Sequence, residues 1–276
     1  MHRIKAIGVV LATGAALAPL RASAEEFLQS FNTMAEVDAA FTKSSWAGDS
    51  RTHSPSNVAV NGGILELKLS GSAPGTLPVC AEIVSKKNTF FYGTYRASIK
   101  MTNQPGAVVG WFTYKGSPLN EIDVEFLTRT PKTAYFTLHH IQTGVDHATK
   151  LLAFDPSAAF HEYRFDWYAG RVEYFIDNQP MATLTKQVPD QPSALLLNHW
   201  SGNIAGWGGA APAQDVFMYV DWAYYNSEYR APVALFRPRP ETGKDFRAAS
   251  RFVRDGRQIF FLRGDGRASL TGRLLE

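Results

Sequence analysis

The sequence predicts an all-β fold, a β-sandwich or jelly roll, and three observations carry that prediction. Apolar and polar residues alternate over many short segments, a pattern that strands sort onto opposite faces. Turn residues recur between those segments at roughly the 8–12-residue spacing of sandwiches. Between Glu26 and Tyr225 no stretch of about 12 or more residues keeps the 3.6-residue period of an amphipathic helix, and no repeat suggests a propeller or solenoid. The 276 residues are 45% hydrophobic and 19% charged, too apolar for a disordered chain. A single cysteine, Cys80, excludes an intrachain disulfide and any multi-cysteine metal site.

Residues 1–24 stand apart from the fold. Arg3 and Lys5 precede an apolar run from Ala6 to Leu20, and Ala22-Ser23-Ala24 supplies an A-x-A cleavage site, the layout of a secretory signal peptide. The run, about 15 residues, is short of the roughly 20 that span a bilayer. Export with cleavage is expected, giving secreted or periplasmic residence without stable membrane insertion. Removing the three bases of this segment leaves 25 bases against 25 acids, a balance that argues against non-specific nucleic-acid binding. In an oxidising compartment lone Cys80 reads as a buried small hydrophobe.

The elements then follow in order. Val58 to Val60, the turn Asn61-Gly62-Gly63, and Ile64 to Leu69 form a hairpin pattern. Alternation returns in Tyr92 to Met101, Val108 to Tyr114, Glu121 to Leu127 and Thr133 to His139. It recurs in Glu162 to Trp167 and Val172 to Ile176, with the turn Asp177-Asn178 after them. Further strands fit Met181 to Thr185, Ala194 to Trp200 and Val216 to Tyr224. These define a domain over residues 25–228. Composition shifts at 229–276, which carries eleven bases and five acids, while the 25–228 body carries 14 bases and 20 acids. The extension is expected either to pack on the acidic body or to recruit the protein to an anionic polysaccharide or envelope surface. Arg257 to Leu262 and Arg267 to Leu274 suggest a closing hairpin.

Chemistry concentrates in Asn120-Glu121-Ile122-Asp123-Val124-Glu125-Phe126. Three carboxylates at alternate positions share one face of a strand, while Ile122, Val124 and Phe126 point the other way. An ordinary exposed strand face is one reading. Three crowded acids also raise the pKa of at least one of them, which a general acid at neutral pH requires, and a carboxyl pair flanking a glycosidic bond is the machinery of glycoside hydrolysis. On an ideal strand the Cα atoms of Glu121 and Glu125 lie about 13 Å apart. The roughly 5–5.5 Å carboxyl separation of a retaining enzyme requires the two side chains to lean together over Asp123.

Glu121-Ile-Asp-Val-Glu125 resembles the E-[IL]-D-x-E signature of glycoside hydrolase family 16, most of all its bacterial lichenases (endo-1,3-1,4-β-glucanases) and exopolysaccharide-processing glycanases. Phe91-Tyr92-Gly93-Thr94-Tyr95 is similar to the YG-x-Y strand, and Gly110-Trp111-Phe112-Thr113-Tyr114 to the F-x-Y strand. Phe160-His161-Glu162-Tyr163 with Phe165-Asp166-Trp167 resembles the FH-x-Y-x-FDW block, Asn198-His199-Trp200 the N-L-W strand, and Val220-Asp221-Trp222 the YDW strand. The resemblance runs in unbroken order from about Phe27 to Asn226. It implies a jelly roll of two curved antiparallel sheets with a concave substrate cleft. It also implies a retaining, endo-acting β-glycanase with Glu121 as nucleophile, Glu125 as general acid/base and Asp123 hydrogen-bonded between them. Glu82, Phe112, Tyr114, Asn198 and Trp200 would line the sugar subsites, aromatic faces stacking on pyranose rings and polar groups gripping hydroxyls. Sequence alone favours core packing for Phe112.

The chain also departs from the lichenase pattern. Val84 stands where lichenases have a sugar-binding Arg, Leu119 where they have a Trp, and His139 where they place a Tyr; the connection Lys115 to Leu119 is shorter, and Cys80 lacks its partner. These changes bear on the substrate, a β-1,3-1,4-glucan or a bacterial exopolysaccharide, more than on the reaction. Asp221 matches a position at a structural calcium site in relatives, but the other ligands there are mostly backbone, so the ion is not derivable and no cofactor is implied. His139 and His140 face opposite sides of a strand and cannot chelate one metal together; no metal motif occurs. His139 is a candidate hydrogen-bonding residue of the cleft, and the other histidines read as structural. A monomer acting on a polysaccharide is expected. Two other readings share the scaffold: a transglycosylase, and a non-catalytic carbohydrate-binding envelope protein.

Overall fold

The computed structural model describes residues 24–48, 50–141 and 144–231 together with three strands beyond them. The expected signal peptide, residues 1–24, lies outside the described residues except for Ala24. So do the tips of the expected C-terminal hairpin.

The chain begins with β1 (Glu26–Gln29), a short helix α1 (Met34–Ala40), β2 (Phe41–Lys43) and β3 (Thr52–His53). Thr33 caps α1 by accepting from the Glu36 amide, and Glu36 returns the favour by accepting from the Asn32 amide. The strands that follow are β4 (Val58–Asn61), β5 (Ile64–Leu69), β6 (Val79–Ser85), β7 (Gly93–Lys100), β8 (Val108–Gly116), β9 (Leu119–Leu127), β10 (Thr133–His140) and β11 (Gly144–Leu151). Then come β12 (His161–Tyr168), β13 (Arg171–Ile176), β14 (Gln179–Leu184), β15 (Ala194–Trp200) and β16 (Val216–Asn226).

Two sheets face each other. One runs β14-β13-β12-β7-β16-β5-β4 with β1 on β16, and the other β11-β10-β9-β8-β15-β6-β2 with β3 on β6. All pairs are antiparallel except β3 with β6. Between them lies the main core, in which Trp111, Ile122, Val124, Phe136 and Leu197 of the second sheet meet Tyr95, Tyr163, Phe165, Trp167 and Tyr174 of the first; Leu69, Cys80, Ala107 and Val216 form a smaller cluster. His199 Nδ1, at 2.8 Å, donates to the Leu67 carbonyl of the opposite sheet. Burial holds this imidazole neutral, its pKa lowered to about 4.

The sheets therefore divide the resembling motifs. Tyr95, Tyr163, Phe165 and Trp167 are core residues; Asp166 accepts from Thr94 Oγ1 at 2.6 Å, and Arg96 pairs with Glu162 at 2.6 Å. Gly93, at φ 148°, lies so close to β16 that a Cβ would stand 2.5 Å from the Asn226 carbonyl oxygen. Those blocks build the supporting sheet. The carboxylate strand belongs to the other.

Beyond residue 231, β17 (Arg251–Asp255), β18 (Gln258–Leu262) and β19 (Ala268–Arg273) form a separate three-stranded antiparallel sheet. The expected hairpin is its β18–β19 pair, and β17 is an addition to it. No helix among the described residues is long and apolar enough to cross a membrane.

Candidate active site

Strand register turns the sequence alternation into three rungs across the exposed face of the second sheet. Glu82, Asn198, Gly110, Glu125, Tyr135 and Thr149 form one rung, from β6 to β11. Val84, Leu196, Phe112, Asp123, Thr137 and His147 form the next. Ala194, Tyr114, Glu121, His139 and Val145 form the third. Each of the three acids sits on β9 at the middle of its own rung. Ile122, Val124 and Phe126 take the core face, as the alternation requires.

Two cavities share this face. One, of about 430 Å³, is lined by Trp46, Arg51, Glu82, Phe112, Tyr114, the three acids, Leu196, Asn198 and Trp200. The other, of about 560 Å³, is lined by Glu125, Tyr135, Thr137, His139, Val145, His147 and Trp207 among others. Glu125 belongs to both, so it stands at the join of a cleft running along the sheet.

All six residues expected to line the cleft do so. Phe112 is a correction to the core reading: Trp111 beside it takes the core, and Phe112 faces the cleft with 8% exposure. His147 is a second correction, a wall residue of the larger cavity and not merely structural. Cys80 is buried as expected, its thiol pushed up to about 11 by burial, which leaves little thiolate. Asp221 sits at a bulge of β16, between Val220 and Trp222. Trp46, Arg51, Tyr135 and Trp207 were not found from sequence. Trp46 and Arg51 come from the segments flanking β3, too short to show alternation, and Trp207 from the loop after β15.

The electrostatics sort the three carboxyls. Burial pushes Glu121 up to about 7, and its hydrogen bond with Asp123 pulls the other way. Burial, then the charges of Glu121 and Glu125, raise Asp123 well above the carboxylate range, and the same hydrogen bond raises it further. Burial and like charge keep the two from ionising together, so Glu121 and Asp123 share a proton across their hydrogen bond. Glu125 is pushed up to about 7 by burial and by the charge of Glu121. His139 Nε2 lies 3.6 Å from Asp123 Oδ2, its pKa lowered by burial. Glu121, Asp123 and His139 bring donor atoms within 4.8 Å of one another; the proton shared by the two acids already occupies part of that gap.

Around them, Glu82 is held by Ser44 Oγ at 2.6 Å, Trp46 Nε1 at 3.5 Å and Asn198 Nδ2 at 3.3 Å. That grip leaves Asn198 Oδ1 buried without a protein partner. Gly110 makes room for it, since a Cβ there would stand 2.5 Å from Asn198 Oδ1.

The profile of Glycosyl hydrolases family 16 matches residues 46–224, well over half of the chain. The chain belongs to glycosyl hydrolase family 16. The β-glucanase of Paenibacillus macerans is 33% identical to this family 16 chain over 173 residues, 60% of the chain and 72% of the relative. The β-glucanase of Acetivibrio thermocellus is 29% identical over 192 residues, 65% of the chain and 58% of the relative. A β-1,3-1,4-glucanase (lichenase) from a mouse hindgut metagenome superposes with a TM-score of 0.67 at 26% identity, covering 72% of this chain and 98% of its own. The Bacillus licheniformis β-glucanase gives a TM-score of 0.66 at 26% identity, covering 72% and 97%. Membership makes the protein a glycoside hydrolase, and the non-catalytic reading falls away.

Proposed function

We propose that the protein is an exported endo-β-glucanase that cleaves internal β-glycosidic bonds of a glucan, mixed-linkage β-1,3-1,4-glucan first, with net retention. The names of the relatives support the substrate. The observation that supports the mechanism is the crowding of three buried carboxyls on β9: Glu121 and Glu125 are both pushed up to about 7, so near neutrality the coupled pair can hold one ion and one acid, with Asp123 hydrogen-bonded to Glu121 as the attacking ion.

Glu121 attacks the anomeric carbon of the sugar bound across the rungs, while Glu125 delivers its proton to the glycosidic oxygen. The bond to the leaving sugar breaks, and an ester forms between the glycone and the Glu121 carboxylate. Asp123 shifts its hydrogen bond as Glu121 loses charge. Water then enters, Glu125 takes a proton from it, and attack from the face just vacated frees Glu121 with the anomer restored. Phe112 and Tyr114 offer flat apolar surface to pyranose rings, and Asn198 Oδ1 accepts from a hydroxyl that supplies its missing partner. Export rests on residues 1–24.

The test is proton NMR of the first products from mixed-linkage glucan. New reducing ends should appear as the β-anomer before mutarotation; α-anomer first, or no new reducing ends, overturns the proposal.

A further inference from the structure

Arg51 lines the smaller cavity, where it is the one cation among the described lining residues. Its guanidinium lies over the Trp200 ring, 4.2 Å from the ring centre, and 5.4 Å from that of Trp46. Stacking of this kind fixes the plane of the fork and leaves its N–H edges pointing outward. Among the described residues those edges are nearly idle. The hydrogen bond found for them is a long one, Nη1 to Ser50 Oγ at 3.5 Å, and Nε is buried with no acceptor. Glu82, an acid of the same cavity, is held by three neutral donors. A planar donor array held by two indoles, with one long bond and a buried Nε unpaired among the described residues, is costly unless a ligand completes it.

We propose that Arg51 is a specificity-determining residue of the cleft, donating from its fork to a pair of oxygen acceptors on the sugar unit bound at the Trp200 end. The acceptors are vicinal hydroxyls of a neutral glucan or the carboxylate of a uronate-bearing one; the chemistry is shared. Because the guanidinium covers the Trp200 face, that unit is read by hydrogen bonds along the plane of the fork more than by stacking. The inference rests on the glucanase reading for the identity of the glycan, while its own test reads binding alone.

The experiment measures calorimetric Kd in a Glu121→Ala background, with and without Arg51→Ala, for two probes: a mixed-linkage gluco-oligosaccharide and the same oligosaccharide oxidised at C6 to uronic acid. Loss of Arg51 should weaken at least one probe about tenfold or more, as expected for hydrogen bonds from a charged donor. Equal loss on both assigns hydroxyl acceptors; a loss confined to the oxidised probe assigns the carboxylate. Arg51→Lys, which keeps the charge without the fork, should recover only part of the affinity. Affinities within twofold on both probes, full recovery by Lys, or no binding of either probe to the Glu121→Ala protein would each overturn the proposal. Failure of the glucanase reading looks different: the unaltered protein would release no reducing ends from glucan even where its Glu121→Ala form binds the oligosaccharide.

Discussion

Asp123 is where the account is most exposed at the scale of single residues. If its role is to donate a proton to Glu121, an amide serves where a methyl does not. Asp123→Asn should therefore retain more kcat/KM on glucan than Asp123→Ala, and equal losses in the two variants would contradict the shared proton. Glu125→Gln should lower kcat/KM by roughly 10²–10⁴, the usual worth of a positioned general acid, and Glu121→Ala should remove cleavage while sugar binding survives. The pH profile has a definite sign. Activity falls at high pH as Glu125 loses its proton and at low pH as Glu121 gains one, so kcat/KM against pH is a bell. Both groups are held up to about 7, so the limbs report the pair and not either acid alone. Glu125→Gln should remove the alkaline limb and leave the acid one. The three acids were legible in the sequence because period two and a core-facing Ile122, Val124 and Phe126 fix their common side. Arg51 was not, because nothing in a two-residue strand and its flanking turns says where a long side chain lies.

Strands decide what the residues can reach. β9 was legible from alternation, and so were β8, β10 and β15 beside it. β6 and β11 were not, for opposite reasons. β6 is buried on both faces apart from Val79 and Val84, so Val-Cys-Ala-Glu-Ile-Val-Ser shows no alternation although it carries Glu82. β11 is an edge strand with Leu151 74% exposed, and its apolar content is too low to mark it, yet it walls the larger cavity. Phe112 reached the cleft only through the family resemblance, because a phenyl ring by itself carries no sign of its face and favours the core; register with Asp123 supplies the face. Gly110 is the element-level prediction. Gly110→Ala should drive Asn198 from its place between β6 and β9, lowering kcat/KM about tenfold or more with little change in melting temperature. An active Gly110→Ala enzyme would show that the Asn198 position is not needed.

Across the whole molecule the site works against stability. Glu121 and Glu125 hold protons in the folded chain up to about 7, whereas an unfolded carboxyl gives its proton up near 4.3. Their burial is harmless below the unfolded pKa, and stability is lost as pH rises through the folded values. His199, held near 4, acts in the other direction, since the unfolded chain takes up a proton below about 6.5 that the folded core refuses. Comparing variants separates the two. Glu121→Gln with Glu125→Gln should melt higher than the unaltered protein at pH 8, by about 3 °C for each 1 kcal/mol in a domain of this size, and the gap should close by pH 4. A gap that is constant with pH would contradict the raised pKa values. At this scale the jelly roll was legible from turn spacing and the absent helical period, and α1, at seven residues, is too short to have broken that rule. The basic extension showed its charge and one hairpin in sequence, while the three-stranded meander needed the pairing of β17, whose Arg-Phe-Val-Arg-Asp has too little alternation to declare itself.

The central claim is that Glu121 forms a covalent bond with the sugar while Glu125 moves the proton. Incubation with a 2-deoxy-2-fluoro β-gluco-oligosaccharide bearing a good leaving group, followed by intact-mass and peptide analysis, tests it most directly. The account predicts one glycosyl adduct per chain, mapped to Glu121. An adduct on Asp123 or Glu125, or inactivation without any adduct, would contradict it.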